Sequence, residues 1–440
     1  MGKVVAKFGG SSLSDAKQFG KVRDIVRADE RRCYVVPSAP GRRFPEDEKV
    51  TDLLYRVHRA RKNGEDYLTP FHLIRDRFLE IGKGLSLSLD IGAYLDEILT
   101  NVEAGAGDDY CASRGEYLNG LLLADHLGYT FLDPKDLIFF AGDGSFDSER
   151  THQIMAEALR ETPRAVIPGF YGTLSTTGEI HTFSRGGSDV TGAIVARAAY
   201  ADLYENWTDV NGFLMADPRI VPEARPIRNI TYRELRELSY MGATVLHEDS
   251  VFPVHRAGIP TNIRNTNDPD GPGTMIMHGA VEERNPYVIT GIAGKLGFSV
   301  LSVEKAMMNS EVGFGRRVLA AIEEFGLSFE HLPTGIDTMC VVLATSALEP
   351  VKSLVVKRIM ELTAPDTLTI HDNMGIIATV GRGMVHNPGT AARLFSALSR
   401  HGVNVRMIDQ GSSELSILVG VDESEFHTAV SAIYEEFVKD

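Results

Sequence analysis

The chain has 440 residues and a mass of 48.2 kDa, too long for one ordinary hydrophobic core, so we expect two or three domains. Apolar residues make up 43% of it and charged residues 24%, the balance of a soluble globular protein rather than a disordered one. The formal net charge of −15 disfavours nucleic acid as a partner, because phosphate backbones would be repelled. Any site for an anion must therefore gather local cations and backbone N–H groups.

The cysteines and the N-terminus bear on the compartment. Cys33, Cys111 and Cys340 are far apart and odd in number, which gives no disulfide framework and favours a reducing environment. No apolar signal segment precedes Val4, and no run approaches the length of a membrane span. We expect a cytoplasmic protein with no membrane partner.

Residues 1–280 alternate short Val/Ile-rich runs with helical patterns, starting with a strand at Val4 to Phe8 and a helix at 16–28. Further buried-strand candidates are 34–36, 165–168, 203–207 and 259–263. This alternation is typical of βαβ units, so it predicts an α/β domain of three αβα layers around a mainly parallel sheet. The turn-rich segment 265–273 is predicted to close it.

The remaining chain repeats itself. Gly326 and Gly335 recur 76 positions later as Gly402 and Gly411, and two strand candidates, 339–343 and 415–419, fall in the same register. Each copy reads strand, helix, strand, strand, helix, which predicts two α+β, ferredoxin-like modules over 285–365 and 370–440. We expect the C-terminal segment to complete the first module.

The first strand leads directly into Gly9-Gly10-Ser11-Ser12, after which a helical pattern begins. Glycines let a backbone approach a phosphate closely, and we expect Ser12, with Asp15 three residues on, to cap the helix. Lys7 must face a charged partner, because a cation inside an apolar strand is otherwise costly. The segment is neither a Walker A loop nor a dinucleotide fingerprint, and alone it fits a plain glycine turn equally well.

A second segment of the same kind, Arg185-Gly186-Gly187-Ser188-Asp189, precedes an Ala-rich helix that Ser188 could cap. Arg185 could bind a carboxylate through two parallel hydrogen bonds. Asp189 lies in the first helical turn, where it either contacts a ligand or only supports the helix cap. Two such helix starts can face one another around an anion. Glu116 opens another helical stretch, where it either receives a ligand ammonium or complements the helix dipole.

These motifs together resemble the aspartokinase family. Lys7-Phe-Gly-Gly-Ser-Ser is similar to its N-terminal signature, and 183–191 is similar to its second glycine motif. Residues 207–212 and 216–219 resemble its ATP-side segment, and the C-terminal repeat resembles tandem ACT regulatory domains. The resemblance covers essentially the whole chain and implies the amino-acid kinase fold.

The resemblance implies a kinase that moves the γ-phosphoryl group of ATP to the side-chain carboxylate of L-aspartate, with Mg²⁺ carried mainly by the ATP phosphates and no other metal. Lys7 would neutralise the phosphates and Asp189 would organise the transfer centre. Implied aspartate-binding residues are Ser38, Thr51, Glu116 for the ammonium and Arg185 for the α-carboxylate. Implied ATP-binding residues are Lys7, Gly9, Gly10, Ser11, Ser12, Gly187, Ser188, Thr208, Asp209, Leu214, Asp217 and Arg219.

The family also implies feedback inhibition by an end product of lysine, threonine and methionine biosynthesis, bound at Met308, Ser328 and Glu330. Lysine is the first expectation, since Glu330 suits its second ammonium, and threonine stays open. Paired modules imply a homodimer or a dimer of dimers.

The sequence departs from the family pattern at two places. Thr244 replaces a lysine that would reach ATP, for which Arg219 could compensate, and the charged loop 41–49 is longer than usual, which suggests a mobile lid. Two alternatives therefore remain open: a kinase for another carboxylate such as that of glutamate, and a catalytically weak amino-acid sensor.

Overall fold

The structure, a computed structural model, describes residues 2–184, 186–243, 246, 248–277 and 286–439. The chain divides into two compact units. The first consists of Met1–Phe213, Pro226–Tyr232 and Thr244–Glu282, and the second of Leu214–Arg225, Arg233–Ala243 and Glu283–Asp440. Two short segments before residue 280 thus belong to the second unit. No described helix is both long and apolar enough to cross a bilayer.

The first unit is built on an eight-stranded sheet in the order β3-β5-β2-β1-β8-β10-β11-β9, with a small sheet β4-β6-β7. Its strands are β1 Val4–Phe8, β2 Arg32–Pro37, β3 Thr130–Phe131, β4 Phe139–Phe140, β5 Ala165–Val166, β6 Tyr171–Leu174, β7 Ile180–Thr182, β8 Leu203–Thr208, β9 Asn229–Thr231, β10 Thr261–Asn265 and β11 Thr274–Met277. Among the described strand pairs of the large sheet, only β10 and β11 run antiparallel. The predicted mainly parallel α/β class is confirmed.

Several helices pack against this sheet with one apolar stripe, whereas the helix Asp108–Leu127 is buried over most of its surface. On α4, for example, Ile91, Leu95, Ile98 and Val102 follow the spacing of one helix face and join a core with Phe8 of β1. The helices are α1 Ala16–Ala28, α2 Val50–Asn63, α3 Leu68–Gly84, α4 Ile91–Glu103, α5 Asp108–Leu127, α6 Ser148–Glu161, α7 Gly187–Ala198, α8 Tyr232–Tyr240 and α9 Phe252–Ala257. From residue 233 onward, α8 belongs to the second unit.

The second unit holds an antiparallel six-stranded sheet in the order β13-β14-β12-β15-β17-β16. In chain order its further elements are β12 Gly291–Glu304, α10 Phe314–Glu323, β13 Phe329–His331, β14 Thr338–Ala344, α11 Thr345–Leu348, α12 Lys352–Thr363, β15 Thr367–Val380, α13 Thr390–Arg400, β16 Met407–Asp409, β17 Ser416–Asp422 and α14 Phe426–Tyr434. Both copies show the predicted strand, helix, strand, strand, helix order, with an extra helical turn in the first.

The long central strands β12 and β15 are shared between the two copies. The second half of β12, from Phe298, pairs with β14, while its first half, from Gly291, pairs only with the part of β15 that also pairs with β17. The second half of β12 also pairs with the first half of β15, so each copy extends the sheet of the other. Strands long enough to pair with two neighbours allow this sharing, and completion of the first module by the C-terminal segment stays a prediction.

Candidate active site

The centre of the first unit is an ion pair at the carboxyl ends of the central strands. Lys7 of β1 is only 7% exposed, and its Nζ lies 2.5 Å from the Asp189 carboxylate in the first turn of α7. Asn206 of β8 is the register partner of Lys7. Its amide N–H donates to Asp189 at 2.8 Å, and its oxygen accepts from Lys7 at 3.4 Å. The structure thus brings both predicted motifs together and adds Asn206, which the sequence interpretation missed.

The first glycine loop turns more tightly than expected. A 3-10 turn, Gly10–Leu13, follows β1, and α1 begins only at Ala16 with the side chain of Asp15 as its N-cap. The predicted Ser12 cap is therefore wrong, because the turn separates Ser12 from the helix. The Ser12 hydroxyl instead lies 2.7 Å from the hydroxyl of Thr266, a second polar neighbour that sequence did not reveal.

The loops after β1 and β2 touch at two glycines. The N–H of Gly41 donates to the carbonyl of Gly10 at 2.8 Å. A Cβ at Gly10 would lie 2.8 Å from the Ala39 carbonyl oxygen, and one at Gly41 would lie 2.6 Å from the Gly10 carbonyl carbon. No real Cβ tolerates such contacts, so this close backbone approach requires glycine at both positions.

The second glycine loop begins α7 without a side-chain cap. Gly186 stands at the N-cap in the left-handed region, with φ of 56°, and Ser188 lies inside the helix, so the predicted Ser188 cap is also wrong. A Cβ at Gly187 would come within 2.5 Å of the Phe170 ring, which requires glycine there. Arg185, the predicted carboxylate ligand, lies outside the described residues.

The predicted substrate residues Ser38 and Glu116 converge around the backbone of Ala39. Glu116 of α5 is buried and accepts a hydrogen bond from the Ala39 N–H, while its Oε2 atom has no partner among the described residues. Burial raises the pKa of this carboxyl to about 8, and the Ala39 hydrogen bond opposes the rise. Asn119, one turn further along α5, donates to the Ser38 carbonyl at 2.6 Å. Thr51 lies in the first turn of α2.

Loop 41–49, expected to be a mobile lid, is tied to helix α3 by charge. The Asp47 carboxylate accepts from Arg43 at 2.9 Å and from the buried Arg77 at 2.5 Å. Arg77 also donates to the carbonyl of Gly41 at 3.1 Å. The two guanidinium groups hold the pKa of Asp47 well below its usual range against its desolvation. This arrangement anchors the backbone that touches the first glycine loop.

The predicted nucleotide-side residues fall in different units. Thr208 ends β8 in the first unit, and its hydroxyl donates to Asp209 at 3.2 Å. Leu214, Asp217 and Arg219 belong to the second unit, where Asp217 and Arg219 form an exposed ion pair at 2.6 Å. Their role with a nucleotide stays a prediction. Thr244 lies outside the described residues.

The predicted effector residues lie in the second unit. Met308 is buried in a short 3-10 turn, Ser328 is exposed just before β13, and Glu330 lies half-buried on β13. The Glu330 carboxylate accepts a hydrogen bond from the Tyr240 hydroxyl. The structure therefore offers an acidic group with a neutral partner, and the effector role itself stays a prediction.

One end of the parallel sheet combines a buried lysine, a helix N-terminus and two glycine loops that present backbone N–H groups. This combination is typical of phosphoryl-transfer proteins. The sequence profile of the Amino acid kinase family matches residues 2–265, and that of an ACT domain matches residues 377–437. Aspartokinase 3 of Bacillus subtilis is 39% identical to this chain over an alignment 458 residues long that covers 98% of each chain.

Solved structures of aspartate kinases are also similar to this chain. A Clostridium acetobutylicum aspartate kinase superposes with a TM-score of 0.91 at 49% identity, covering 99% of this chain and 100% of its own. Escherichia coli aspartokinase III, in complex with aspartate and ADP, superposes with a TM-score of 0.76 at 25% identity, covering all of both chains. The chain belongs to the amino acid kinase family and, within it, to the aspartokinases. It is a phosphotransferase with a carboxyl group as acceptor and carries an ACT region.

Proposed function

We propose that the chain phosphorylates the side-chain carboxylate of L-aspartate with ATP, giving 4-phospho-L-aspartate. The observation that carries this proposal is the buried Lys7–Asp189 pair, which joins the strand before the first glycine loop to the first turn of α7, in the same unit as the partly unpaired carboxyl of Glu116. The relatives add support, since the Escherichia coli structure holds aspartate and ADP.

Glu116 is the residue that we expect to bind the ammonium group of an amino-acid substrate. A buried carboxylate without a counter-ion is costly, and an incoming ammonium group would supply one while restoring the ionised form. The residues proposed to share the substrate are Ser38 and Thr51, with Arg185 on the α-carboxylate. This assignment makes Glu116 the residue that admits an amino acid rather than a plain dicarboxylate.

The nucleophile needs no general base, because an aspartate side chain is already ionised at pH 7. The obstacle is repulsion between two anions, which positioning and electrostatic stabilisation must overcome. Lys7 would neutralise the phosphoryl group during transfer, and the N–H groups of the glycine loops and of the start of α7 would bind the phosphate oxygens. Asn206 fixes the orientation of Asp189 by its amide contact at 2.8 Å.

Asp189 also suits Mg²⁺ brought in on ATP. Lys7 and Asn206 both contact one of its carboxylate oxygens, and the other oxygen has no hydrogen-bond or ion-pair partner among the described residues. Mg²⁺ prefers one or two carboxylates together with substrate phosphates, so this donor set fits. When bound, the ion would neutralise charge on the ATP phosphates.

We also propose a cytoplasmic enzyme that opens lysine, threonine and methionine biosynthesis and is inhibited by lysine at the ACT modules. Glu330 would receive the side-chain ammonium of lysine, with Met308 and Ser328 beside it. Inhibition requires that lysine bind one conformation better than the active one. The assembly would be a homodimer or a dimer of dimers.

ADP release should be measured with saturating ATP and each of aspartate and glutamate, with and without lysine or threonine. The proposal predicts turnover with aspartate, little with glutamate, and inhibition by lysine. Preferred turnover of glutamate would identify a different carboxylate kinase. Lysine binding by calorimetry without any turnover would identify an amino-acid sensor and refute the catalytic proposal.

A further inference from the structure

A cavity of about 220 Å³ lies in the first unit between α4 and α5. Its lining includes Tyr94 and Glu97 of α4 and Tyr110, Arg114 and Tyr117 of α5. The cavity greatly exceeds the ~10–15 Å³ that one water needs, and it is smaller than the roughly 300–1,000 Å³ of sites for drug-sized ligands. Its size suits a metabolite of amino-acid dimensions.

The guanidinium of Arg114 is an unusual lining group. Arg114 is 6% exposed, and its carbon centre lies 4.6 Å from the Tyr110 ring, 4.5 Å from the Tyr117 ring and 5.3 Å from the Tyr171 ring. Its hydrogen bonds within the described part of the chain go only to the Ser113 hydroxyl, at 3.2 and 3.0 Å. It forms no ion pair with any described carboxylate. Aromatic faces offset part of the cost of burying this cation, and an anion in the cavity would offset more.

The same cavity contains a carboxylate without a cation. Glu97 forms no ion pair or hydrogen bond with the residues that the structure describes, whereas the other acid, Asp133, is already engaged. Asp133 accepts from the Tyr171 hydroxyl at 2.9 Å and from the Lys135 backbone N–H at 3.1 Å. One open cation and one open carboxylate therefore line a partly aromatic space.

We propose that this cavity binds a free amino acid with an apolar side chain. The α-carboxylate would lie on Arg114, the ammonium on Glu97, and the side chain against the ring of Tyr94 and the side chain of Ile180, which also lines the cavity. A zwitterion matches both open charges at once, which a simple carboxylate or amine does not. Neither Glu116 nor the predicted effector residues line this cavity.

Isothermal titration calorimetry on the full chain tests this with L-leucine, L-methionine and L-phenylalanine. At least one should bind at one site per chain with a Kd of ~1 mM or tighter. Glu97→Gln and Arg114→Met should each weaken that binding about tenfold or more. Asp96→Asn, on the same helix but paired with Arg75, is the matched control and should leave Kd unchanged.

N-acetyl-L-leucine lacks the ammonium and leucinamide lacks the carboxylate, so both should bind at least about tenfold more weakly than leucine. Since Arg114 is buried, its variant can misfold, but Glu97 is exposed and its variant keeps the test decisive. Failure of all three amino acids to bind the native chain below roughly 10 mM would overturn the proposal. So would binding that survives Glu97→Gln.

Discussion

Replacing Lys7 by methionine tests the centre of the site, because methionine keeps the length of the side chain and removes its charge. Lys7 is 7% exposed and lies 2.5 Å from Asp189, so solvent screens its charge only weakly. Loss of one preorganised charge contact costs about 10²–10³ in kcat, or ~2.7–4 kcal/mol of transition-state stabilisation. We expect kcat of Lys7→Met to fall at least about a hundredfold.

The assay is ADP release at saturating ATP and aspartate, with circular dichroism to show that each variant folds. Lys3→Met is the matched control: Lys3 precedes the same strand, but within the described part of the chain its Nζ contacts only the Ala199 carbonyl, at 3.3 Å, and an aromatic face. Its kcat should stay near that of the native enzyme. A folded Lys7→Met enzyme whose kcat falls less than about threefold would refute the role given to Lys7.

The other predictions concern Glu116 and two ion pairs. With a pKa of about 8, Glu116 is protonated in the free protein at lower pH, so kcat/KM for aspartate should fall as pH drops below 8, and Glu116→Gln should remove this dependence. Because that pKa is raised above 4.5, ionisation costs stability as pH rises, so Glu116→Gln should raise Tm more at pH 8 than at pH 5. Arg77→Met should lower the unfolding free energy by about 3 kcal/mol, since Asp47 loses a buried partner. Glu205→Gln should cost about 3–5 kcal/mol by breaking the buried pair with Arg32 at 2.7 Å.

Each of these has a contradicting result. A kcat/KM for aspartate that is flat from pH 6 to pH 9 would show that Glu116 does not govern substrate entry. If Glu116→Gln changed Tm equally at pH 5 and pH 8, the Glu116 carboxyl would not be desolvated. Urea unfolding midpoints of the Arg77 and Glu205 variants within error of the native protein would show that these pairs are balanced by solvent.

Local sequence predicted the sheet and the two glycine segments because both depend on short-range patterns. The apolar run at β1 predicted a buried strand, and Lys7 inside it required a charged partner, although the local pattern did not identify that partner as Asp189. The helix caps were wrong at Ser12 and Ser188 because neighbouring residues compete for the same N–H groups. A 3-10 turn places Ser12 before the start of α1, and Gly186, in the left-handed region, occupies the N-cap position of α7 in place of Ser188.

Contacts that depend on chain segments far apart could not be predicted. Asn206 and Thr266 reach the site because β8 lies beside β1 in the sheet and β10 lies beside β8, an order that no local pattern specifies. The polar Asn206 inside an otherwise buried strand was the available signal. The anchoring of loop 41–49 by Arg77 likewise needs a partner 30 residues from Asp47, so charge alone suggested a lid.

The most direct measurement is chemical trapping of the product. The enzyme is incubated with ATP, Mg²⁺, aspartate and hydroxylamine, and the acyl phosphate is captured as its hydroxamate and identified by mass spectrometry. We expect the side-chain aspartyl hydroxamate in equal amount to the ADP formed, and its loss in Lys7→Met. ADP formation without any aspartyl hydroxamate, or a hydroxamate of glutamate instead, would contradict it.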